Sequence, residues 1–247
     1  MKYWVKTIRY SNREYRNPIV VIGFPGIGLV GLQAIRYMAE KLNAEKVAEI
    51  YSEYLYLQSA STGIMVGPDG TFTLPKYTIY GYSGTPSMLL VESDTQPVVW
   101  AVYKSLDTVF SFLRQFRPKG VIVLTGYSSR GEREVFYVAS SNWMLDKLKK
   151  LGISSRAKVG SVIMAAGASI VLSKLYGWPC ISLTASVKSA VDIEGTRILI
   201  ETLSKLLGFS IELSDLDEMA KEAERAEMVI KLIAPTTPRE GRVDYIL

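Results

Sequence analysis

The sequence predicts a single α/β domain with a mainly parallel sheet flanked by helices. Three observations carry that prediction. Short β-branched apolar runs recur along the chain, at Pro18–Phe24, Ser87–Glu92, Lys119–Thr125 and Pro179–Ala185. Between them lie segments whose apolar residues repeat at helical spacing. No internal repeat and no linker-like stretch interrupts this alternation, and buried strands joined through helices are the signature of a parallel sheet covered on both faces.

Each element follows from its own residues. Pro18–Phe24 is a buried strand ended by Gly and Pro. The segment 28–42 places Leu29, Leu32, Ile35, Met38, Ala39 and Leu42 on one helical face. Glu45–Leu57 is β-branched and aromatic and contains a strand. Gly63–Val66, the turn Gly67–Gly70, Thr71–Leu74 and Lys76–Tyr80 read as antiparallel strands, a β-hairpin insertion or an antiparallel extension of the sheet. After the strand Ser87–Glu92, the segment 98–116 carries the helical stripe Trp100, Tyr103, Leu106, Val109, Phe110 and Leu113. Strands are expected at Lys119–Thr125 and Val135–Val138, and a short helix at 142–151. The stretch GSVIMAAGASIVLSKLYG, residues 160–177, runs from a glycine-rich loop into a helix. A strand at Pro179–Ala185 and a long helix at 189–207, punctuated by Gly208, complete an α/β unit spanning residues 1–210.

The remainder differs in character. Ser214 with Asp217 three residues on signals a helix start. A C-terminal helix over 211–234 then places Leu216, Met219, Ala223, Ala226, Ile230 and Ile233 on an a/d seam about three heptads long. Residues 235–247, PTTPREGRVDYIL, have the composition of a flexible tail. At about 3.3 Å per residue such a tail reaches on the order of 40 Å.

Composition narrows the function classes. The net charge is +5, from 29 Lys and Arg against 24 Asp and Glu, and the signs alternate along the chain. The densest basic cluster, Lys147–Lys150, reads as the solvated face of a helix, so no nucleic-acid partner is expected. No apolar run is long enough to span a bilayer, and Met1–Lys6 lacks the apolar region of a signal peptide, so the expectation is a cytoplasmic protein with no membrane partner. The sequence contains no histidine, which removes Ser-His-Asp and Cys-His catalysis and histidine-based metal sites. Its one cysteine, Cys180, lies in an apolar stretch and is expected to be a small buried hydrophobe in a reducing compartment. With four Asn and four Gln among many Lys, Arg and Glu, the composition follows the trend of heat-adapted proteins.

GFPGIGLVG, Gly23–Gly31, contains Gly26-x-Gly28-x-x-Gly31 between a strand and a helix. In a dinucleotide site such glycines allow the turn, the approach of pyrophosphate and the close packing of helix on strand. An acid about 20 residues further on would bind ribose, and Glu49 stands near that place. Pro25 sits where the tight turn would form, and no Gly-Lys-Ser/Thr follows to hold phosphate and magnesium. The alternative role for the glycines is close packing and a sharp chain reversal. Glu92, Ser93, Asp94 and Thr95 follow a strand at the end where α/β sites lie, and Gly126–Gly131 follow another and could bind an anion, but the favoured reading of both is a capped surface loop. Asp192 fits a helix N-terminus. These groups do not converge on a reaction, and no catalytic residue, cofactor or metal is expected.

Together the motifs VIGFPGIGLVG, GTPSMLLVESDTQP (Gly84–Pro97), VIVLTGYS (Val121–Ser128), GSVIMAAGASIVLSKLYGWPCISLTAS and VDIEGTRILIETLSKLLG resemble, in that order, the archaeal members of the proteasome assembly chaperone family. The resemblance spans residues 18–208. It implies a phosphorylase-like α/β fold without catalysis, and an ATP-independent assembly chaperone or activator. It further implies a homo-oligomer whose C-terminal tails dock between α subunits of the core proteasome. In such tails a penultimate Tyr sets the register and the terminal carboxylate meets a lysine. Here the chain ends Val243-Asp244-Tyr245-Ile246-Leu247, so the Tyr is third from the end and Ile246 takes the penultimate place. Tyr245, Ile246 and Leu247 are the expected partner-binding residues. The alternative is a nucleotide- or nucleoside-binding α/β enzyme using Gly26, Gly28 and Gly31.

Overall fold

Four apolar strands form the centre of the sheet. They are β2 (Ile19–Gly23), β7 (Met88–Ser93), β8 (Gly120–Ser128) and β10 (Cys180–Val187), and β2, β7 and β10 are buried along their whole length. The computed structural model from which these elements are taken describes residues 4–57, 63–67, 69–153, 160–216 and 218–219. β2 pairs in parallel with β7 and β8, and β8 with β10. Antiparallel strands extend this core on both sides. β1 (Val5–Arg9), β3 (Glu45–Ser52) and β6 (Tyr77–Tyr82) lie beyond β7, and β9 (Val135–Ala139) lies beyond β10. The order across the eight strands is β1-β3-β6-β7-β2-β8-β10-β9.

The expected hairpin region divides in two. β6 extends the main sheet, whereas β4 (Met65–Val66) and β5 (Phe72–Thr73) form a separate small hairpin. Its turn is closed by Gly70 N–H donating to Gly67 O at 3.0 Å. Gly70 supplies the positive φ, 79°, that this turn requires.

Alternation along the central strands sorts the core into two layers. Val21, Leu90, Ile122, Leu124, Ile181 and Leu183 point to one face, under α1 (Val30–Lys41) and α5 (Ile193–Leu207). Val20, Ile22, Leu89, Val91, Val121 and Val123 point to the other, under α2 (Val102–Leu113) and α4 (Met164–Leu175). The helices pack in matching pairs, α1 on α5 and α2 on α4. In α2, Leu106, Val109, Phe110 and Leu113 are fully buried, each contributing about 1.5–3 kcal/mol relative to exposure. A short helix, α3 (Leu145–Lys150), sends Leu148 into the α1–α5 layer.

The chain leaves α5 through Gly208, whose φ of 78° ends the helix. Phe209 and Leu216 then pack into the α1–α5 layer, Tyr37 Oη donates to Glu212 O at 2.8 Å, and Lys41 pairs with Asp215. The expected C-terminal helix thus begins against α1. Its further course, and the expected tail, lie outside the described residues.

Candidate functional site

Two glycines of GFPGIGLVG, Gly23 and Gly31, serve contact between backbones. A Cβ on Gly23 would stand 2.0 Å from Gly31 O, and one on Gly31 would stand 2.3 Å from Leu124 O. These two positions let α1 lie directly on β2 and β8. Gly28 has φ 67°, and its Cβ would meet Val187 Cγ1 at 2.4 Å. Gly26 is extended, and a Cβ there would find only one atom nearby, Phe24 O at 3.8 Å.

Behind Gly28 sits Asp192, only 2 % exposed. Its backbone N–H donates to Gly28 O at 2.9 Å. Its carboxylate accepts from Gly195 N–H at 2.7 Å as the N-cap of α5, from Lys188 N–H at 2.6 Å, and from Arg133 at 2.9 Å. Burial raises the pKa of this acid, but the bonds from Arg133 and the two amides outweigh it and hold the carboxyl below the usual aspartate range. The turn is therefore backed by an ionised acid that is already paired with Arg133 and two backbone amides.

The other candidate acids are engaged within the fold. Glu49 lies on β3, separated from β2 by β6 and β7, and so is remote from the glycine turn. It accepts from Tyr10 at 2.6 Å, Tyr51 at 2.7 Å and Lys46 at 2.9 Å. Burial opposes its charge, yet these three donors lower its pKa overall. Glu92, at the end of β7, pairs with Arg36 at 3.0 Å, and Asp94 with the same guanidinium at 3.1 Å. Burial dominates at Glu92 and raises its pKa despite Arg36. Ser93 Oγ donates to Thr95 O at 2.6 Å. In the 126–131 segment, Gly131 N–H donates to Ser129 Oγ at 3.2 Å, a local turn. Cys180 is 1 % exposed, and burial pushes its thiol up to about 11. Among the described residues, no group of three or more Cys, Asp or Glu side chains is placed to hold a metal ion.

Three of the sequence motifs nevertheless converge. Just past the end of β2 and against the C-terminal halves of β8 and β10 lies a cavity of about 260 Å³. Phe24–Ile27 from the first glycine loop form one wall, Leu124–Tyr127 from β8 form the floor, and Ser161–Met164 with Ala166 from the second glycine-rich segment form the opposite wall. Gln96 bridges the two loops: its amide nitrogen donates to Pro25 O, and its Oε1 accepts from Ala165 N–H at 3.2 Å at the start of α4. Both loops carry a bulky residue in left-handed backbone, Leu29 at φ 54° and Met164 at φ 56°.

Thr184 and Gln96 are the residues that sequence reasoning missed. In CISLTASV, Cys180, Ser182, Thr184 and Ser186 alternate with Ile181, Leu183, Ala185 and Val187. Hydroxyls on one face of a fully buried strand were the available signal. Tyr245, Ile246 and Leu247 lie outside the described residues. Among the described residues, no helix is long and apolar enough to cross a membrane.

Known proteins share both sequence and fold with this chain. It is 24% identical, over an alignment 264 positions long, to an uncharacterized protein of Methanocaldococcus jannaschii, with 100% of each covered. It is 25% identical over 232 residues to a second uncharacterized protein of that organism, covering 93% of this chain and 91% of the relative. The crystal structure of Pyrococcus furiosus PbaB, described as an archaeal proteasome activator, superposes with a TM-score of 0.83 at 25% identity, over 94% of this chain and 100% of PbaB. P. furiosus PbaA, described as an archaeal homolog of proteasome-assembly chaperone, gives 0.72 at 22% identity, over 93% of this chain and 96% of PbaA. The single α/β domain with its large mixed sheet is the fold of these proteins. The PAC2 family model matches residues 20–230, and the chain belongs to the PAC2 family.

Proposed function

We propose that this protein is an ATP-independent assembly chaperone or activator of an archaeal proteasome. It acts by binding, as a homo-oligomer that presents several C-terminal tails to the α-ring at once. The likeness to PbaB along nearly the whole chain carries this reading. The state of the acids supports binding over catalysis: Glu49, Glu92 and Asp192 are each spent on internal partners. Self-association is supported by apolar side chains on two neighbouring helices. Trp100, in the turn that leads into α2, and Tyr103, in its first turn, stand 74% and 52% exposed, and Val171 and Leu175 stand 41% and 74% exposed on α4. One short tail ending in Tyr245, Ile246 and Leu247 binds weakly, and several on one platform gain through effective concentration. In this reading residues 1–210 are the platform, 211–234 follow it, and 235–247 are the docking segment.

The test is deletion of Tyr245–Leu247. Capture of proteasome α subunits from solution is expected to fall at least tenfold while the mass of the protein's own oligomer is unchanged. Undiminished capture by the truncated chain would place the contact elsewhere.

A further inference from the structure

We propose that the cavity against β2, β8 and β10 binds a small neutral molecule with a flat apolar body and one hydrogen-bonding edge, of the nucleobase or aromatic-amide class. Thr184 is the first ground. It is 2 % exposed, it lines the cavity, and its Oγ1 has no hydrogen-bond partner. A buried hydroxyl without a partner is costly, and of the described residues whose buried hydroxyl lacks one, Ser87, Thr95, Ser182 and Thr184, Thr184 is the one that lines the cavity. Thr184 stands directly opposite Thr125 in the parallel register of β10 and β8, so two hydroxyl-bearing residues share the inner end of the cavity.

The walls define the rest of the ligand. Phe24, Ile27, Val162, Ile163, Met164 and Ala166 make them largely apolar, and Tyr127 and Phe24 offer aromatic surface to a flat ring. Among the described residues, no charged side chain lines the cavity. An ion entering it would give up its hydration without a counter-charge, which selects a neutral guest.

One residue of the cavity wall carries backbone strain. Gln96 ties the first glycine loop to the start of α4, and Met164, itself in the wall, keeps a left-handed φ that costs a residue with a side chain. Strain of this kind collects where a fold is shaped for a ligand rather than for stability alone. The inference does not rest on the proteasome reading, because none of these residues belongs to the proposed docking tail.

The experiment is calorimetry and ligand-observed NMR on the full chain. Adenine, hypoxanthine and nicotinamide are the neutral probes, and AMP and inorganic phosphate the charged ones. At least one neutral probe is expected to bind. Thr184→Val, which keeps the shape and removes the hydroxyl, is expected to raise its Kd tenfold or more, while Thr184→Ser retains binding. Ala166→Phe, which fills the cavity, is expected to abolish it. Should that variant not fold, Ile163→Glu serves instead, since Ile163 is 70% exposed at the mouth and tolerates a charge there. Unfolding temperatures of the unliganded variants establish that each is folded. The proposal is overturned if no neutral probe binds at millimolar concentration, if Thr184→Val binds as well as the wild type, or if AMP or phosphate binds more tightly than the neutral probes.

Discussion

Asp192 joins four parts of the molecule through one carboxylate and one amide. It caps α5, holds the Lys188 turn, meets Arg133 from the β8–β9 connection, and ties its own N–H to the glycine loop. Asp192→Ala removes a cap and leaves Arg133 without its partner, so it is expected to cost about 3 kcal/mol, a fall in Tm of roughly 6–12 °C. The pH dependence follows from the depressed pKa. The folded state holds this acid ionised more strongly than the unfolded chain does, so its contribution is complete above the ordinary aspartate pKa of about 3.9 and is lost as pH falls through the lower native value. Thermal scans of wild type and Asp192→Asn between neutral and acid pH check this: the variant's stability should fall less steeply at the acid end. Glu92 acts with the opposite sign. Its raised pKa means that its contribution weakens as pH rises from the unfolded toward the native value. At this scale the sequence revealed Cys180 as buried and Asp192 as a helix-start charge. It hid Thr184 and Gln96, whose roles depend on which strand ends and loops meet in space.

At the scale of elements, α1 touches the sheet through glycine. The contacts of Gly23 with Gly31 and of Gly31 with Leu124 O leave no room for a methyl group, and the opposing atoms are backbone that cannot rotate away. Gly31→Ala is therefore expected to destabilise by about 3 kcal/mol or more through overpacking, measurable by chemical denaturation. Gly26→Ala, at an open extended position, should cost far less in the same measurement. The central strands were legible because burial on both faces makes them continuous apolar runs, as in Ile19-Val20-Val21-Ile22. β1 was not, because it is an edge strand with four of its five residues exposed, so no apolar pattern marks it. The expected helix at 98–116 is α2 with a 3-10 turn at either end, Val99–Ala101 and Arg114–Phe116. The strand order was not legible at all. That β3 and β6 stand beyond β7, away from β2, is set by long-range pairing that local periodicity does not encode.

For the whole molecule, the order of motifs carried more than any one of them. GFPGIGLVG alone suggested a cofactor loop. In the fold it shapes a tight contact between α1 and the sheet, and with TGYS and GSVIMAAG it frames a neutral cavity. Family membership extends over residues 20–230, and the proposed docking residues Tyr245, Ile246 and Leu247 lie beyond it. On the proposed reading the docking segment can be removed without disturbing the α/β domain, and the exposed Trp100, Tyr103, Val171 and Leu175 are the proposed surface for self-association. The most direct measurement is analytical ultracentrifugation of the full chain mixed with a purified archaeal proteasome α-ring. The account predicts a new boundary faster than either component, formed without ATP and weakened when residues 245–247 are absent. Two independent boundaries at every mixing ratio would contradict it.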